Sequence, residues 1–146
     1  MYIAIIADDT KKELMTQFCI AYCGILGRHH LCATQTTGKY IAEATGLDIE
    51  YMLPGEVGGV EQIASRIAYN EIDMLLFFRD STSARATRES DWALLRECDI
   101  NNIPVATNIA TAEGLVMALE QGALDWREVM NPRSEYNRAK RTQRRS

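Results

Sequence analysis

The sequence predicts a three-layer αβα domain built around a parallel sheet, and three observations carry that expectation. Short apolar, largely β-branched runs alternate with amphipathic stretches along the whole chain. The run at 72–78 is nearly continuous rather than alternating, as a central parallel strand covered on both faces requires. A chain of 146 residues, 47% hydrophobic and 25% charged, has the length and balance of one domain around one core.

Four or five strands are expected, at 2–7, 31–34, 49–53, 72–78 and 104–107. Helical patterns fill the intervals at about 11–25, 38–46, 57–69, 90–101 and 111–122. In the first, Leu14, Phe18 and Ala21 or Tyr22 share a stripe; in the last, Leu115, Ala118 and Leu119 give the buried face and Gly122 the stop. Such alternation closes through right-handed crossovers. The polar stretch after Pro132 is expected to be loosely held.

No apolar run approaches the roughly 20 residues that span a bilayer, so no membrane or targeting segment is expected and the protein reads as cytoplasmic. Cys19 and Cys23 form a CxxxC pair without histidines at ligand spacing, so the four cysteines read as buried reduced thiols and no metal site is expected.

The net charge of −4 conceals an asymmetry. Seven basic against two acidic residues in 127–146 put that stretch at +5 and leave residues 1–126 at −9. The chain is therefore divided into a domain at 1–126 and a basic tail at 127–146 that packs on the domain or on a neighbouring subunit. Nucleic-acid binding is a weaker reading, because the acidic body offers no basic face to continue the track.

In an open parallel sheet, ligands bind beyond the carboxyl ends of the strands. Five loops are candidates. The segment Ala33-Thr-Gln-Thr-Thr-Gly-Lys39 follows a strand and opens a helix, presenting Thr34, Thr36, Thr37, Gly38 and free N–H groups to an anion, above all a phosphate. The alternative is that Thr36 or Thr37 merely caps the helix. Gly55-Glu-Val-Gly-Gly59 is a second glycine-rich turn, with Gly55, Gly58 and Gly59 allowing close backbone approach. Asp8 and Asp9 end the first strand, either as helix caps or as site carboxylates, and Lys12 is a further phosphate contact. Arg79 and Asp80 leave the central strand, where Asp80 either serves the site or bonds its own loop. The polar stretch 81–90 brings Arg85 and Arg88, and the 107–111 loop follows the last strand.

Taken in order, these loops resemble methylglyoxal synthase. The matching pieces are Ile3-Ala-Ile-Ile-Ala-Asp-Asp-Thr-Lys-Lys12, Ala33-Thr-Gln-Thr-Thr-Gly38, Met52-Leu-Pro-Gly-Glu-Val-Gly-Gly59, Ile72-Asp-Met-Leu-Leu-Phe-Phe-Arg-Asp80 and Asn102-Ile-Pro-Val-Ala-Thr-Asn-Ile-Ala-Thr111. They cover residues 2 to about 120. The resemblance implies a five-stranded parallel sheet flanked by helices, of flavodoxin-like topology, in a homohexamer. It also implies an enzyme without metal or organic cofactor that converts dihydroxyacetone phosphate into methylglyoxal and phosphate, by proton abstraction next to the carbonyl and then phosphate elimination. Lys12, Thr34, Thr36, Thr37 and Gly55 would hold phosphate, with Asp9 and Asp80 beside the reacting carbons.

Three positions depart from that pattern. The resemblance places the proton-abstracting aspartate where this chain has Val60, the first-strand His-Asp pair reads Asp8-Asp9, and the carbonyl-polarising histidine falls at Thr87. Glu61 lies one helical step, about 100°, from the first of these. Losing a general base removes about 10²–10⁴ in rate. The expectation is therefore an impaired synthase homologue that senses or sequesters a phosphorylated small molecule or nucleotide. An active methylglyoxal synthase using Glu61, Asp8 or Asp80 as base is the alternative, and an adaptor acting through the basic tail a second one.

Overall fold

A computed structural model describes residues 1–83 and 88–145. Its five strands are β1 (Tyr2–Ala7), β2 (His30–Ala33), β3 (Ile49–Tyr51), β4 (Met74–Phe78) and β5 (Val105–Ala106). The helices are α1 (Lys12–Ala21), α2 (Cys23–Leu26), α3 (Gln35–Thr45), α4 (Gly59–Ala68), α5 (Glu89–Ile100), α6 (Ile109–Glu120), α7 (Arg127–Met130) and α8 (Glu135–Arg145). Single 3₁₀ turns at Asp9–Lys11 and Gly55–Val57 follow β1 and β3.

All strands pair in parallel, in the order β3-β2-β1-β4-β5. The three-layer, five-stranded parallel sheet is as the sequence implies. The order differs from the flavodoxin-like 2-1-3-4-5, because β2 and β3 extend the sheet on one side of β1 before the chain crosses back to β4.

That crossing distributes the helices. Right-handed connections running one way from β1 put α1 and α3 on one face, and those running the other way put α4 and α5 on the opposite face. The two halves of the core record this. Ile3, Ile5, Met74, Leu76 and Phe78 pack with Met15, Phe18, Ile41 and Val116, whereas Ala4, Ile6, Leu75 and Phe77 pack with Ile63, Ile67, Leu94 and Cys98. Alternate residues of β1 and β4 face opposite layers, and all but the half-buried Tyr2 are buried, which explains the unbroken apolar run. Each buried isoleucine or phenylalanine contributes about 1.5–3 kcal/mol of transfer free energy.

Two stretches differ from their sequence readings. The helix expected at 11–25 breaks at Tyr22, whose φ/ψ of −108°/21° closes α1 before a short α2. The stretch expected to be loose after Pro132 forms α8, with Glu135 in its first turn and Arg144 and Arg145 in its last, signs that complement the helix dipole.

Candidate active site

The chain turns back between β1 and β4, so the carboxyl ends of these neighbouring strands open a crevice that no crossover covers. A cleft of about 230 Å³ lies there. From the loop after β1 and the start of α1 come Asp8, Asp9 and Lys12; from the end of β2 and the first turn of α3, Thr34 and Thr36; from the turn after β3, Pro54, Gly55 and Glu56; from α4, Val60; and from the N-cap and first turn of α5, Arg88 and Asp91. This volume is below the roughly 300–1,000 Å³ of sites for drug-sized ligands and suits a small metabolite better than a nucleotide.

Lys12 is the cation of the cleft floor. Its Nζ donates to the Ala7 carbonyl and to Asp9 Oδ1, both at 2.9 Å. The ammonium is thus anchored at the strand end with one carboxylate to neutralise it, and Asp9, 71% exposed at its side chain, can swing away when an anion arrives.

The threonine turn opens α3 at the edge of this cleft. Thr34 occupies the N-cap of α3 with φ/ψ of −57°/148° and makes no side-chain cap bond among the described residues; Thr36 and Thr37 lie inside the first turn. The N–H groups there have no acceptor within the helix. Thr36 is exposed and lines the cleft, while Thr37 is 1% exposed and its Oγ1 has no partner among the described residues. Gly55 brings its turn against Thr34 and Val60, at 3.8 and 3.9 Å from the position of a Cβ.

Other candidates sit outside the cleft. Gly38 is a packing glycine, since a Cβ there would come within 2.7 Å of the Tyr51 ring. Gly59 is another, because a Cβ would meet the Leu53 carbonyl at 2.0 Å, and Gly58 adopts a φ of 107° to start α4. Arg79 lays its guanidinium over the rings of Trp92 and Phe77, 4.8 and 5.9 Å from their centroids. Asp80 bonds its own loop and the turn after β1: Oδ1 accepts from the Thr82 hydroxyl at 2.6 Å and the Thr82 N–H at 3.0 Å, and Oδ2 accepts from the Thr10 hydroxyl at 2.7 Å. The Thr82 and Thr10 hydroxyls together pull its carboxyl down to about 2, which makes it a weak base. Glu61 is exposed and does not line the cleft. Arg85 and Thr87 lie outside the described residues.

Asp91 went unremarked in the sequence, though a signal existed. Asp91, Leu94 and Cys98 are the buried residues of α5, spaced so that a carboxylate sits on the helix's core-facing stripe. Burial pushes its carboxyl up from the ordinary value and nearby Asp8 adds to the effect, against Arg88 and Arg79. His29 and His30 stand at the opposite end of the sheet. There His29 Nδ1 lies 3.0 Å from the N-terminal ammonium, and burial followed by that charge lowers the ring to about 4.

The comparisons with known proteins converge on one family. The MGS-like domain model matches residues 17–107. A methylglyoxal synthase of Caldicellulosiruptor saccharolyticus is 56% identical over 139 residues, 95% of this chain and 99% of that one. The chain belongs to the methylglyoxal synthase family. A Geobacillus thermodenitrificans methylglyoxal synthase is 44% identical over 99% of this chain and 100% of its own. The crystal structure of methylglyoxal synthase from Elizabethkingia anophelis superposes with a TM-score of 0.74 at 36% identity, covering 79% of this chain and 76% of that one.

These relatives correct the functional expectation. Proteins 44–56% identical over nearly the full length carry the synthase name, which favours a working member of the methylglyoxal synthase family over an impaired homologue that senses or sequesters a ligand. The departures at Val60 and Asp8 read as losses in the sequence, which does not reveal that Asp91 shares the cleft with them.

Proposed function

We propose that the chain is an active methylglyoxal synthase, converting dihydroxyacetone phosphate into methylglyoxal and inorganic phosphate. The observation that carries this reading is the 56% identity over 95% of the chain to a protein of that name. A cleft of fitting size at the sheet's switch point, with Lys12 and Arg88 in its lining, supports it. In this reading Lys12 and the α3 N-terminus, with the Thr34 and Thr36 hydroxyls and the Gly55 backbone, receive the phosphate. The helix dipole and the ammonium favour the dianion. The hydroxyl of Thr37 is the reserve donor behind them.

The test uses the purified chain and dihydroxyacetone phosphate, with methylglyoxal measured by its reaction with a dicarbonyl reagent. Turnover on the order of 1–10³ s⁻¹ is expected. Lys12→Ala and Thr36→Ala should each lower kcat/KM by about 10–100-fold, the loss of one hydrogen bond to a charged group. Wild type without turnover, or both variants at the wild-type rate, would contradict this reading.

We also infer a cytoplasmic homo-oligomer in which the 127–146 segment takes part in subunit packing. Among the described residues no helix is long and apolar enough to cross a membrane. Trp126, Val129 and Met130 are 46–60% exposed around α7, an apolar surface that a second subunit would cover. The −9 charge of residues 1–126 would repel a polyanion, which disfavours nucleic acid as the partner. Sedimentation of the full chain and of a Val129→Asp, Met130→Asp variant tests this: equal subunit numbers would refute a role for this surface.

A further inference from the structure

The synthase reaction needs a carboxylate that removes a proton from carbon, and the position where the family resemblance places it is Val60. Val60 is 4% exposed and forms an apolar wall of the cleft, in the first turn of α4. Beside it on the same face of the sheet packs α5, and from the first turn of that helix Asp91 reaches the same cleft. Asp91 is 4% exposed, and the part that remains open faces the cavity.

The other carboxylates are engaged elsewhere. Asp80 accepts two hydrogen bonds from Thr82 in its own loop and one from Thr10 after β1, Asp8 Oδ2 accepts the Asp80 N–H at 2.8 Å, and Asp9 pairs with Lys12 at 2.9 Å. Glu56 is exposed on the rim.

We propose that Asp91 is the proton-abstracting base of this enzyme, the function having moved from α4 to the adjoining turn of α5. The proposal rests on the synthase reading above. The surroundings suit the task. Asp91 is all but buried at the cleft wall, and that burial, reinforced by Asp8, raises the proton affinity of its carboxylate. Arg88, the N-cap of α5 three residues upstream in the chain and lining the same cleft, supplies positive charge for the enediolate that forms.

The step balances as follows. The Asp91 carboxylate takes a proton from the hydroxymethyl carbon, and the C–H electron pair forms the enediolate. The enediol hydroxyl then closes to an aldehyde, its proton leaving with the phosphate, while the C–O bond to phosphorus breaks with its pair on that oxygen. The remaining enolate takes a proton at its methylene carbon, balanced by the one that Asp91 returns to solvent, and becomes methylglyoxal.

The experiment compares wild type, Asp91→Asn, and Asp91→Asn combined with Val60→Asp. It measures kcat on dihydroxyacetone phosphate and, by calorimetry, the affinity for inorganic phosphate. The proposal expects Asp91→Asn to lose about 10²–10⁴ in kcat while its phosphate affinity stays within threefold of wild type. The double variant should regain at least tenfold over Asp91→Asn, which a merely structural aspartate would not allow. An Asp91→Asn protein that binds phosphate normally and keeps kcat within tenfold of an active wild type overturns this assignment and leaves the synthase reading standing. A wild type that binds phosphate and makes no methylglyoxal overturns both.

Discussion

The carboxylate of Asp8 accepts a hydrogen bond from the backbone N–H of Asp80 at 2.8 Å, tying the end of β1 to the end of β4 across the mouth of the crevice. The Asp8 N–H in turn donates to the Phe78 carbonyl at 3.0 Å, so the two loops are laced in both directions. Asp8 therefore holds the floor of the cleft in shape. Asp8→Ala should cost about 1–3 kcal/mol, the penalty of leaving a partly buried donor unmet, and lower Tm by several degrees in a calorimeter. An unchanged Tm would show that the lacing is incidental.

The carboxyl of Asp80 is a reporter on the same loop. The Thr82 and Thr10 hydroxyls hold it at about 2 rather than the ordinary 3.8. A depressed carboxylate stabilises the fold above its unfolded value, and that contribution fades as pH falls from near 4 through about 2. Side-chain carbon resonances followed by NMR should give a midpoint near 2 in wild type and nearer 3.8 in Thr10→Val with Thr82→Val. A wild-type midpoint at 3.8 would refute the hydrogen-bonded loop.

Two glycines should respond in opposite directions. Gly59→Ala drives a Cβ to 2.0 Å from the Leu53 carbonyl and must displace the 53–59 turn, so both stability and phosphate affinity should fall. Gly114 lies inside α6 with nothing within 4 Å of its Cβ position. Gly114→Ala should gain up to about 1 kcal/mol and raise Tm by a few degrees. Thermal melts of the pair decide it, and a destabilised Gly114→Ala would contradict the packing of α6.

Arg127 anchors the far end of the sheet. It is fully buried, with Nε 3.3 Å from Asp73 Oδ1, and one terminal nitrogen donates to the Ile72 carbonyl at 2.9 Å and to Asn70 Oδ1 at 2.7 Å. Asp73 Oδ2 also accepts from the Tyr2 N–H and from Asn131. Arg127→Ala leaves this carboxylate buried without its charge partner. It should cost about 3–5 kcal/mol by denaturant titration, while Arg141→Ala on exposed α8 should change little. Similar values for the two would contradict the buried network.

Much of the architecture was legible. The run from Met74 to Phe78 announces a strand buried on both sides, and the threonine turn before Gly38 opens α3 at the carboxyl end of β2. The rest required three dimensions. Arg127 counts in the sequence as one of seven tail cations, and only the fold shows it facing Asp73 across 54 residues. Gly38 and Gly59 look like ligand-approach glycines, but the neighbours that exclude a Cβ are Tyr51 and Leu53, whose proximity no local pattern encodes. The deepest omission concerned Asp91. Val60, where the family resemblance places an aspartate, reads as lost chemistry until α4 and α5 are seen side by side with one cleft between their first turns.

The most direct test follows phosphorus by NMR while the purified, metal-free chain is mixed with dihydroxyacetone phosphate at neutral pH. The account predicts that the ester signal is replaced by inorganic phosphate at an enzymatic rate, with one methylglyoxal formed for each phosphate released. A persistent ester signal, in a protein that binds inorganic phosphate in the same tube, would contradict it.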